Sequence, residues 1–67
     1  MDNAILNLIQ TTLHRPPDPV GLLTLHAVLP ADRFSLKQWN NALTLLTGRR
    51  AYCRSYQEVG RAIQRLL

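Results

Sequence analysis

The chain has 67 residues, 46% of them apolar, a single cysteine and a formal charge of +4. That is enough for one helical domain spanning 1–67 and too apolar for a disordered tail. Cys53 is the lone thiol, so an internal disulfide is excluded. His14 and His26 are too far from it and from each other for the clustered spacing of a zinc site. A core this small is expected to rely on regular helix packing or on self-association. The start, Met1-Asp2-Asn3, has no positive n-region, and the densest apolar run, Val20 to Leu29, is too short for a bilayer. The lone cysteine suits a reducing compartment, so a cytoplasmic protein is expected.

The first helix is predicted from about Asp2 to Leu13, with Asp2 as N-cap or first-turn acid. Ile5, Leu8, Ile9 and Thr12 share one face, and Leu6 widens the apolar arc. Arg15-Pro16-Pro17 ends this helix, because proline lacks the amide that would continue it.

Asp18-Pro19 then opens a second helix, as an N-cap followed by proline at the first helical position. It is predicted to run to about Leu29 and to stop at Pro30. Leu22, Leu23, Leu25, Ala27, Val28 and Leu29 leave almost no polar face, which implies a largely buried helix or one covered by another chain. Residues 24–29 also alternate as a strand would, but no second strand is available to pair with it. Helix is therefore the reading adopted for 19–29.

Ser35-Leu36-Lys37-Gln38 and Ser55-Tyr56-Gln57-Glu58 both fit a capping box, which starts a third and a fourth helix. Gly48 stands where a left-handed residue closes the third. Leu36, Trp39, Leu43 and Leu46 in one correspond to Tyr56, Val59, Ile63 and Leu66 in the other, predicting an antiparallel hairpin zipped along two apolar stripes. Trp39 is placed at the centre of the core. Leu45 points away from that stripe. Gly60 falls within the fourth helix's stripe and costs about 1 kcal/mol there, which implies close approach of a neighbouring backbone, that of the first or second helix or of another copy.

The whole net charge lies in residues 48–67, where Arg49, Arg50, Arg54, Arg61 and Arg65 face Glu58 alone. Three of these arginines fall in the connection between the third and fourth helices. Arg61 and Arg65 lie on the outer face of the fourth helix, with Glu58 in reach of Arg61. Tyr52 and Tyr56 add aromatic surface. Arginine's planar fork suits carboxylate and phosphate. The candidate partner-binding set is accordingly Arg49, Arg50, Tyr52, Arg54, Arg61 and Arg65. The competing reading is a solvated face that keeps a leucine-rich protein soluble.

Ser55-Tyr56-Gln57-Glu58-Val59-Gly60-Arg61-Ala62-Ile63 resembles the first helix of many helix-turn-helix DNA-binding domains. Those domains continue into a glycine-containing turn and a recognition helix. Here the chain ends four residues later, at Leu67, so no function is carried across.

Cys53 between Arg50 and Arg54 could have a lowered pKa and be reactive, but an inert cysteine is the simpler expectation. His26 within an apolar helix is read as a packed histidine. No phosphate loop, paired carboxylates, nucleophile motif or metal cluster is present in the sequence, so no enzyme activity and no cofactor are expected. The reading is an all-α bundle of four short helices, its third and fourth helices a hairpin. Its expected function is that of a small regulatory or adaptor protein docking its basic end on an acidic protein surface, with no membrane involved. The alternative is nucleic-acid binding through the same arginines, as a dimer.

Overall fold

Each helix begins at a side chain that accepts the amides left free by the first turn. In the computed structural model, which describes residues 3–67, the helices are α1 (Ala4–Thr12), α2 (Pro19–Val28), α3 (Leu36–Thr47) and α4 (Tyr56–Arg65). Segment 19–28 is thus helical, and no strand occurs among the described residues. The cap of α1 is Asn3, whose Oδ1 accepts from the amides of Ile5 and Leu6 at 2.9 and 3.1 Å. The expectation for Asp2 lies outside the described residues.

Asp18 caps α2 by accepting from the Gly21 amide at 2.7 Å, with Pro19 in the first turn. Ser35 and Gln38 form the full reciprocal box at α3. At α4 only half of the box forms. Ser55 accepts from the Glu58 amide at 3.1 Å, but the Glu58 carboxylate accepts from the amide of Arg54, one residue earlier than expected. Phe34, just before the α3 cap, packs edge-on against Trp39 at 6.4 Å. This is a hydrophobic staple that sets the chain's entry angle.

Two left-handed residues close helices. Gly48 has φ 73° at the end of α3, as its position implied, and His14 has φ 53° after α1. The α1 turn therefore completes at His14, before the prolines that were expected to end it.

The helices form a ring of neighbours: α1 packs on α2 and α3, and α4 packs on α2 and α3. Ile5, Leu6, Ile9, Leu22, Leu25, Trp39, Ala42, Leu43, Val59 and Ile63 fill its centre. Trp39 is only 1% exposed. Burying side chains of this size stabilises by roughly 1.5–3 kcal/mol each. The radius of gyration, 10.5 Å, is close to the ~11 Å expected for a folded chain of this length.

The ring changes two expectations. The broadest helix–helix packing joins α2 to α4, while α3 and α4 also touch. α2 lies on the perimeter like the other helices rather than inside them. Gly21, Leu22 and Leu25 face inward, but Val20 is 45% and Val28 68% exposed. Gly21 permits this placement, because a Cβ there would meet Ile9 Cγ2 at 2.8 Å.

The α2–α4 seam is closed by a reciprocal lock. His26 Nε2 donates to the Tyr56 carbonyl at 2.7 Å, and the Tyr56 hydroxyl donates to the His26 carbonyl. Their rings stack at 3.9 Å, and both meet Trp39 edge-on. Gly60 is explained here: a Cβ on it would stand 2.7 Å from His26 Cε1. The close neighbour belongs to α2, as one of the expected partners did, but it is a side-chain ring and not a backbone.

Candidate functional site

The connection between α3 and α4 carries Arg49, Arg50, Tyr52 and Arg54, and α3 itself determines how they are displayed. Asn40, Thr44 and Thr47 lie at i, i+4 and i+7 on one face of that helix. The Asn40 side chain binds Cys53 twice, donating to its carbonyl at 2.9 Å and accepting from its amide at 2.7 Å. Thr44 Oγ1 accepts from the Ala51 amide at 3.0 Å, and Thr47 Oγ1 accepts from the Arg49 amide at 3.1 Å. Both hydroxyls also donate back into α3, to the carbonyls of Asn40 and Leu43. Residues 49–54 are thereby laid antiparallel along α3.

An extended segment alternates its side chains. Ala51 and Cys53 turn toward the helix, and Arg50, Tyr52 and Arg54 turn to solvent. Tyr52 is 74% exposed, with the Arg50 guanidinium 5.9 Å from its ring centre. Tyr56, the other aromatic assigned to this end, points inward to the His26 lock instead.

Between this segment, α3 and α4 runs an open groove of about 750 Å³. Leu43, Leu46, Ala62 and Leu66 give it an apolar lining, and Pro17 to Pro19 also line it. Its cations are Arg49 and Arg50 from the connection and Arg65 from α4. A second, smaller hollow of about 340 Å³ brings Tyr52, Cys53, Arg61 and Arg65 together with Glu58. Arg65 lines both spaces, and Arg54 lines neither. The structure thus gathers Arg49, Arg50 and Arg65 around one feature, Tyr52, Arg61 and Arg65 around another, and leaves Arg54 beside the α4 cap.

Electrostatically the region carries an excess of positive charge, with Glu58 and Asp18 as its nearby acids. Among the described residues the ion pair present joins Arg15 to Asp18 at 2.7 Å. Among the described residues no carboxylate lies within ion-pairing distance of Arg49, Arg50, Arg54, Arg61 or Arg65. The expected Glu58–Arg61 pair does not form, because Glu58 is engaged at the Arg54 amide. The Asp18 carboxyl is held below its ordinary value chiefly by the Gly21 amide; burial opposes this, and the hydrogen bond and charge of Arg15 add to the lowering. Its negative charge is therefore committed to its own helix and to Arg15.

Cys53 behaves oppositely to an activated thiol. Partial burial and the charge of Glu58 push its pKa up, and Arg65 offsets only part of that. Among the described residues no group of three or more His, Cys, Asp or Glu side chains is placed to hold a metal ion, and no helix is long and apolar enough to cross a membrane.

The groove lining was not foreseen. Leu43, Leu46 and Leu66 were assigned to the zipped stripes of the hairpin, but Leu66 is exposed and Leu46 only half-buried. The signal was present in Asn40, Thr44 and Thr47, a polar row on a helix otherwise rich in leucine. Comparison with protein-family models, curated proteins and solved structures finds no match to this chain.

Proposed function

We propose that this chain is a small non-catalytic regulatory or adaptor protein that acts in the cytoplasm by docking on an acidic protein surface. The supporting observation is the set of arginines, without ion pairs among the described residues, that line an apolar groove on the α3–α4 side of the bundle. Charges not engaged in such pairs are available to steer and align an oppositely charged macromolecule. The antiparallel α3–α4 hairpin forms the frame of this surface, and the connection between its helices carries the cations. Affinity capture from the native host, with and without nuclease, compares the parent protein with an Arg49→Glu/Arg50→Glu/Arg65→Glu variant. A nuclease-resistant protein partner lost by the variant is the expected result. Retention of that partner by the variant, or a partner removed by nuclease, would overturn the reading.

One observation favours nucleic acid as a second reading. Tyr52 stands exposed on an extended segment with Arg50 and Arg54 on the same side, an arrangement suited to stacking a base between phosphate contacts. Dimerisation would double that patch. A steep salt dependence of oligonucleotide binding, flattened by substituting these arginines, would support it over protein docking.

A further inference from the structure

The groove narrows the class of acidic partner. Its apolar lining comes from Leu43, Leu46, Ala62 and Leu66, and its cations come from two separate elements, Arg49 and Arg50 from the connection and Arg65 from α4. An occupant that satisfies both must carry an apolar stripe flanked by negative charge. We infer that the groove receives an amphipathic acidic helix, its leucine-like side chains on the apolar lining and its carboxylates against Arg49, Arg50 and Arg65. This rests on the acidic-partner reading above and adds the shape of the partner to it.

Three features carry the assignment. An amphipathic helix places apolar residues at i, i+3, i+4 and i+7 with acids beside them, which matches a groove lined by leucines and arginines together. A nucleic-acid backbone offers charge without an apolar stripe and would leave the leucines wet. A small anionic ligand is poorly suited too, since sites that take one enclose most of its surface, and this groove is open. Asp18, the one acidic group of the lining among the described residues, is tied to Arg15.

The test uses three fluorescein-labelled probes on the full chain: a patterned peptide with leucine at i, i+3, i+4 and i+7 and glutamate around it, a scrambled peptide of equal composition, and a duplex oligonucleotide. Anisotropy titrations should show the patterned peptide binding and the scrambled one about tenfold weaker. Arg65→Glu and Leu66→Glu should each weaken the patterned peptide about tenfold. Arg54→Glu, outside the groove, should change it less than about twofold. Both groove variants alter exposed side chains, and circular dichroism confirms that they fold.

Equal binding of the scrambled and patterned peptides would overturn the groove assignment and leave the acidic-partner reading standing. Binding of the duplex with neither peptide would remove both. No binding of the patterned peptide overturns the groove assignment by itself.

Discussion

On its α2 side, α4 gives Gly60 and Tyr56 to His26, and the polar groups that meet there are bonded to each other across the seam. On its α3 side, the same helix and its C-cap present Arg65 and Leu66 to an open groove, where the charge has no ion-pair partner among the described residues and the leucine is exposed. One flank spends its side chains on holding the bundle together. The other holds its backbone in place and leaves its side chains free. Stability and binding should therefore be separable in this small protein, since they occupy opposite faces of one helix.

Gly60→Ala should give the largest effect. Its new Cβ would collide with a ring already fixed by Tyr56 and Trp39, so the chain should lose about 1–3 kcal/mol even though alanine favours helix. Urea denaturation would measure this. A neutral result would mean that the His26 lock is looser than its stacking suggests, and the two flanks would differ less than described. Binding through the α3 side, measured where the variant is still folded, should be unchanged.

Asn40→Ala tests the opposite flank. It leaves the amide and carbonyl of Cys53 without their side-chain partner, and because both are only part-buried the cost should be about 0.5–1.5 kcal/mol. It should also speed amide exchange in residues 49–54 without affecting α2. Exchange that rises equally in both regions would show that the connection is not held separately from the core.

The smallest effect concerns Asp18. Its carboxyl ionises more readily when folded than when unfolded, so its contribution is fully present above the ordinary carboxylate range. It is lost as pH falls through the depressed folded value. Asp18→Asn keeps a capping side chain and removes the titration, so its denaturation midpoint should fall less steeply in acid than that of the parent. Equal slopes would show that other groups govern the acid response.

Much of the helical framework was legible because its determinants are local. Asp18-Pro19, Ser35 with Gln38, and Gly48 act within a few residues of themselves, and each does in the structure what its position implied. Trp39 and His26 were legible as packed residues from their apolar surroundings. The orientation of α2 was not. With apolar residues all round, its wheel does not say which side faces inward, and the choice depends on the approach of Ile9 to Gly21 and of His26 to Gly60. The Asn40 clamp escaped for the same reason: its partner lies 13 residues away, and an asparagine on a helix reads as solvated until the returning segment is seen. Glu58 misled because two neighbouring amides, those of Ser55 and Arg54, compete for one carboxylate.

The clamp of Asn40, Thr44 and Thr47 on the connection has a kinetic consequence. Because Arg49 and Arg50 project from backbone already held against α3, a partner meeting them has only side-chain rotamers to freeze and no loop to order. Preorganisation of this kind lowers the entropic cost of association. Releasing the clamp should therefore leave the cations and their long-range attraction intact while making each encounter less often productive.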